Sequence, residues 1–150
     1  MTIHGRKWLV LLVGLIFFIV DRYLKYFFLS QPSRPPIFIF HLWTNQNLAF
    51  GLPLSWGLRP IFYFFLVLII LIISGLFLRA WRRSLIFQSF ALWFVLLGAI
   101  SNTLDRFKYN AVIDFIDPGL LSIFNLADIM ITLGVGLLCY DLFFSQKDLK

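Results

Sequence analysis

The sequence predicts an all-α integral membrane protein: four transmembrane helices and a small β-containing first loop on the extracytoplasmic side, forming one domain over residues 1–150. Three observations predict it. The chain is 61% hydrophobic and only 13% charged, with a mean hydropathy of +0.90, whereas a soluble domain carries about a quarter charged residues. Its apolar residues fall into four runs of the length needed to cross about 30 Å of hydrocarbon. Seven of its thirteen basic residues lie before the first run, between the second and third, and after the fourth, as cytoplasmic anchoring charge does; Arg34, Arg59, Arg106 and Lys108 fall in the other loops, so the bias is moderate and the short turn at 79–84 carries most of it. The net charge of +6 is therefore read as membrane orientation, and no nucleic-acid partner is expected. The one cysteine, Cys139, lies inside an apolar run, which excludes an internal disulfide framework and gives no metal signature.

The first span covers about residues 8–29, interrupted near its far end by Asp21 and Lys25. Arg6-Lys7 before an apolar run also opens a secretory signal peptide, but no small-residue cleavage site follows, so the span is read as retained. In the loop over residues 30–59, Pro32, Pro35 and Pro36 break helix, and Ile37–Trp43 is β-branched and aromatic enough for a short strand. The second span covers about 61–78, bounded by Pro60 and Arg79. A short turn with Arg79, Arg82 and Arg83 leads into the third span, about 85–104. A loop over 105–124 contains the turn signal Pro118-Gly119, and the fourth span covers about 126–144. Arg6, Lys7, the three arginines, Lys147 and Lys150 then share the cytoplasmic side with both termini, and the loops 30–59 and 105–124 face outward. Gly134 and Gly136 are expected to serve close helix packing.

This topology gathers the unusual polar residues at the outer interface, where a carboxylate needs a physical reason. Asp21 and Lys25 are four apart on one helix face, acid first, suited to an ion pair that offsets burial or orients loop backbone at a site. Asn102, Asp105 and Arg106 can meet at the end of the third span, with Arg106 keeping Asp105 ionised in a supporting role. Asp114 is embedded in Ala111-Val112-Ile113-Asp114-Phe115-Ile116 with no adjacent base, so burial would raise its pKa. Asn125 is a good N-cap for the fourth span, placing Asp128 at the third helical position, as in a capping box. Two carboxylates brought together in apolar surroundings can share one proton and activate water. Asp117, before Pro118-Gly119, reads as turn chemistry. His4 and His41 have no nucleophile partner at a recognisable spacing.

Five blocks resemble the lipoprotein signal peptidases, the type II signal peptidases of bacteria. Asp21-Arg22-Tyr23-Leu24-Lys25 resembles the family's Asp and Lys four apart, with Leu24 where Ser or Thr is usual. Asn45-Gln46-Asn47-Leu48-Ala49-Phe50-Gly51 resembles N-x-G-x-A-F-G, with Asn47 for the usual Gly. Residues 97–106 resemble G-G-A-x-G-N-x-x-D-R, with Ser101 for the third Gly. Val112-Ile113-Asp114-Phe115 resembles V-x-D-F, and Phe124-Asn125-Leu126-Ala127-Asp128 matches F-N-x-A-D.

The resemblance implies a membrane aspartic endopeptidase, without metal or cofactor, that removes signal peptides from diacylglyceryl-modified prolipoproteins by cutting before the lipidated Cys. It implies Asp114 and Asp128 as the catalytic pair, with Asp21, Lys25, Asn45, Asn102, Asp105, Arg106 and Asn125 supporting them or binding substrate. The expected setting is the bacterial cytoplasmic membrane, the partners a lipid-modified prolipoprotein and membrane lipids, and the enzyme a monomer. The alternative is a small four-span proton- or cation-coupled transporter using the outer carboxylates, although the span middles lack the charge such proteins normally place there.

Overall fold

A computed structural model describes residues 2–32, 35, 37–46, 56–119 and 122–144. Four helices follow the four apolar runs: α1 (Ile3–Ser30), α2 (Arg59–Arg82), α3 (Ile86–Tyr109) and α4 (Leu126–Phe144). All four are long and apolar enough to cross a membrane. Three outrun the apolar stretches that predict them. The apolar stretch marks the hydrocarbon, whereas the backbone helix continues until a cap stops it. Thr2 caps α1 by accepting from Gly5 N at 3.3 Å. Pro60 in the first turn of α2 suits a position whose N–H has no helical partner. Arg79 and Arg82 in the last turn of α2 lie where its dipole is negative. Asn110, left-handed at φ 54°, ends α3 five residues beyond the expected boundary and carries Asp105 and Arg106 on the helix.

The helices run antiparallel. Lys7 Nζ donates to the Trp81 carbonyl at 2.8 Å, and Gln88 Nε2 donates to Asp141 at 2.8 Å. The start of α1, the α2–α3 turn and the end of α4 therefore meet at one end of the bundle. The opposite end holds a two-stranded antiparallel sheet of β1 (Phe40–Asn45) and β2 (Val112–Ile116). Trp43 is opposite Asp114, and Asn45 is opposite Val112. The first strand begins later than the Ile37–Trp43 expectation because Ile37 and Phe40 exchange backbone hydrogen bonds around a tight turn with Phe38 at φ 58°. The block Asn47–Gly51 lies outside the described residues.

The helix α3 is the core. Eleven of its residues are buried, against three in α2 and three in α4, many of whose other apolar side chains are exposed and can face lipid. Phe94, Leu97 and Met130 form one cluster and Phe77, Ala80 and Leu92 another. Two glycines set the α3–α4 approach. A Cβ on Gly98 would lie 2.6 Å from the Ala127 carbonyl oxygen, and one on Gly134 2.6 Å from that of Ala91. Gly136, expected in the same role, faces open space. Cys139 is exposed.

Candidate active site

The last two turns of α3 organise the polar end through two adjacent faces. Ser101 and Asp105, four apart, face α1; Asn102 and Arg106, also four apart, line a cavity.

On the α1 side lies a closed charge cluster. Asp21, Lys25, Ser101 and Asp105 are all fully buried. Lys25 Nζ lies 3.1 Å from Asp21 and 2.8 Å from Asp105, and donates to Asn102 Oδ1 at 2.8 Å. Asp21 also accepts from Ser101 Oγ at 2.5 Å and from the Ala127 backbone N–H at 2.9 Å. Asp105 accepts from Arg22 at 2.5 Å and from Ile113 N at 3.4 Å. Two acids and two bases neutralise each other, and buried charge is tolerated when paired and hydrogen-bonded in this way. The cluster ties α1 to α3, to β2 and to the first turn of α4. One expectation is corrected here: Asp105 pairs with Arg22 and Lys25, not with Arg106. Neighbours in a helix point about 100° apart, so Asp105 turns to α1 while Arg106 turns to the cavity.

On the cavity side the chemistry is carboxylate and amide. Asn125 and Asp128 form a reciprocal cap: Asp128 N donates to Asn125 Oδ1 at 2.9 Å, and Asn125 N donates to Asp128 Oδ2 at 3.1 Å. Asn125 Nδ2 faces Asp114 Oδ1 at 2.6 Å and Asn102 Oδ1 at 3.1 Å. Asn102 Oδ1 is thus held by Lys25 and Asn125, which turns its Nδ2 toward Asp128 Oδ1 at 2.7 Å. The two amides bridge the two carboxylates, and the charge cluster fixes the orientation of that bridge. Asn45 completes the arrangement from β1 with a side-chain hydrogen bond to Asp114.

Asp114 is 1% exposed. Loss of water around it, and then the nearby Asp128 carboxylate, push its pKa from 3.8 up to about 6, against the opposing hydrogen bonds from Asn125 and Asn45. Arg106 faces both carboxylates electrostatically, and its guanidinium lies 5.3 Å from the Phe62 ring centre.

These groups open on a cavity of about 700 Å³. Asn45, Asn102, Arg106, Asp114 and Asp128 line one part of it, and Phe62, Leu66, Ile69 and Ile131 line its apolar walls on α2 and α4. An edge of carboxylates, amides and a guanidinium thus lies beside an apolar trough.

All nine site residues expected from sequence thus lie at one end of the bundle, in two connected groups. Arg22 and Ser101 belong to the cluster and were not singled out. A second base beside Asp21 in an apolar stretch was the available signal for Arg22. Apolar cavity positions such as Phe62 gave none, since every span is rich in such residues. Asp117 is turn chemistry as expected: its Oδ1 accepts from Gly119 N at 2.8 Å. His41 lies 3.6 Å from Asp117, away from this site.

A family model described as "Signal peptidase (SPase) II" matches residues 13–144. A lipoprotein signal peptidase from Brevibacillus brevis is 33% identical, over 91% of this chain and 95% of its own. Another from Helicobacter pylori is 37% identical, over 97% of this chain and 95% of its own. A solved bacterial membrane enzyme, determined by the in meso method at 2.3 Å resolution, shares the fold with a TM-score of 0.75 at 24% identity, covering 94% of this chain and 91% of that one. A second, at 1.9 Å, has a TM-score of 0.68 at 25% identity, over 90% and 92%.

Proposed function

The chain belongs to the signal peptidase II family of aspartic peptidases, and from that premise we propose that Asp114 and Asp128 activate water to remove signal peptides from diacylglyceryl-modified prolipoproteins. The observation that carries the reading is the pair of carboxylates on one cavity, bridged by Asn102 and Asn125. The pair shares one proton. Its ionised member takes a proton from water, which attacks the carbonyl before the lipidated Cys. Its protonated member hydrogen-bonds the developing oxyanion and then protonates the leaving amine. General acid–base transfer of this kind contributes typically about 10²–10⁴-fold.

The supporting roles divide along the two faces of α3. Asn102 and Asn125 hold the carboxylates; Asn45 and Arg106 contact substrate backbone in the cavity; Asp21, Lys25 and Asp105 keep α1, α3, β2 and α4 in register. The substrate's acyl chains run along the apolar walls at Phe62, Leu66 and Ile69 and continue into the bilayer. The site faces the extracytoplasmic side of the bacterial cytoplasmic membrane, with both termini cytoplasmic. Supporting this is the placement of Lys7, Arg79, Arg82 and Arg83 at the opposite end of the bundle. The enzyme is taken to act as a monomer.

Purified protein incubated with a diacylglyceryl-modified prolipoprotein should release the signal peptide and leave the unlipidated precursor uncut. Asp114→Asn and Asp128→Asn should each abolish cleavage while keeping a cooperative thermal transition. Full activity in either variant overturns the assignment, and proton-coupled uptake into liposomes without cleavage would favour the transporter.

A further inference from the structure

At the end of the bundle away from the carboxylates, Arg79, Arg82 and Arg83 fall within five residues. About thirty ångströms of α2 separate them from Phe62 at the helical rise of about 1.5 Å per residue. All three are exposed, and none forms an ion pair with a carboxylate among the described residues. Asp141, the acid that α4 brings toward this end, is held by Gln88.

Two cavities adjoin the arginines. One, of about 450 Å³, lies between α2, α3 and α4 and is walled by Leu76, Leu85, Leu92 and Leu138. The other, of about 380 Å³, includes Gly75 and Leu78 of α2. Arg79 and Arg83 line both. Three fixed cations would be expected merely to orient the chain in the membrane. Orientation does not require apolar grooves beside them, nor two guanidinium groups shared between two grooves.

We propose that this end of the bundle binds one anionic phospholipid. Its phosphodiester sits between Arg79 and Arg83, whose planar guanidinium groups suit phosphate oxygens. One acyl chain occupies the groove at Leu76 and Leu138, the other the groove at Gly75 and Leu78. The apolar walls select a lipid over free phosphate, which would leave them empty. The occupant spans the α2–α3 turn and α4, so it fastens α2, which has few buried residues of its own, to the rest of the bundle. Basic pockets between transmembrane helices are general sites for acidic headgroups, with each Arg or Lys near the surface adding roughly fivefold.

The test uses full-length protein delipidated in neutral detergent and titrated with phosphatidylglycerol or phosphatidylcholine of identical acyl chains, with bound lipid counted by native mass spectrometry. One phosphatidylglycerol should be retained in preference to phosphatidylcholine. Arg79→Gln/Arg83→Gln should weaken that retention about thirty-fold, while Lys108→Gln, at the other end, leaves it unchanged. Rising salt should weaken phosphatidylglycerol retention by the unsubstituted protein, a readout that requires no variant to fold. Equal retention of the two lipids, retention undiminished in the double variant, or displacement by millimolar inorganic phosphate would each overturn the proposal.

Discussion

Replacing Asp114 by Asn should make the protein more stable at neutral pH even as it removes activity. Asp114 is 1% exposed, and its pKa in the folded protein is pushed from 3.8 to about 6. Its folded-state value lies above its unfolded value, so the folded protein binds the proton more tightly. The resulting stability is fully present below about pH 4 and is lost as pH rises through about 6. A shift of roughly two pH units is worth about 3 kcal/mol at 1.36 kcal/mol per unit. The substituted side chain would be neutral at every pH, and its amide oxygen can still accept from Asn125 Nδ2, which lies 2.6 Å from Asp114 Oδ1. The variant should therefore exceed the unsubstituted protein by up to about 3 kcal/mol at pH 8. At about 2–4 °C per kcal/mol for a chain of this size, that is a rise of roughly 6–12 °C in Tm. The advantage should vanish toward pH 4. The assay is thermal unfolding in neutral detergent from pH 4 to 8, read as the difference between the two proteins so that other titrating groups cancel. A variant equal to or less stable than the unsubstituted protein at pH 8, with a difference independent of pH, would refute the placement of Asp114 as a buried, reluctantly ionised acid.

Lys25→Met should destabilise by about 3–5 kcal/mol, because it leaves buried Asp21 with hydrogen bonds from Ser101 and Ala127 but without its ion pair, and Asp105 with Arg22 alone; an unchanged Tm in detergent would exclude the cluster as a structural tie. Gly134→Val puts a Cβ 2.6 Å from the Ala91 carbonyl oxygen and should cost about 1–3 kcal/mol by forcing α3 and α4 apart, measured by the same unfolding assay, with Gly136→Val as the near-neutral comparison. Asn45→Ala removes a hydrogen bond that lowers the Asp114 pKa, so the limb of the cleavage–pH profile near pH 6 should move to higher pH; a limb that stays in place or moves down would separate Asn45 from Asp114.

Most of the architecture was legible because a bilayer imposes a simple rule on composition. A span must be apolar over a fixed length, so four runs gave four helices. Their ends were less legible, since capping decides them: nothing in the hydropathy of residues 105–109 shows that α3 continues to Tyr109. The catalytic candidates were legible for a related reason. Asp114 and Asp128 stand among residues that cannot solvate them, and such an acid is conspicuous in sequence. The partners of Asp105 were not legible, because the choice between Arg106 and Arg22 depends on which way α3 faces α1. Neither could the apolar cavity wall be told from lipid-facing surface, since Phe62 and Leu71 carry the same signal on the same helix.

The division between the two polar groups has a consequence for the chemistry. Lys25 reaches Asp128 through a single intervening amide, Asn102. An unneutralised ammonium that close would favour the charged forms of both carboxylates and work against a shared proton. Asp21 and Asp105, at 3.1 and 2.8 Å, oppose that field. Lys25 can then fix the Asn102 amide by geometry, while on Asp114 its charge counts for less than burial, Asp128 and the hydrogen bonds from Asn125 and Asn45. On the proposed mechanism, this gives so costly a cluster a reason to lie behind the site where apolar packing could otherwise stand. Asn102 needs a donor on its Oδ1 to present its Nδ2 to Asp128, and the donor must bring little net charge with it. A lysine flanked by two carboxylates, themselves balanced by Arg22, meets both requirements.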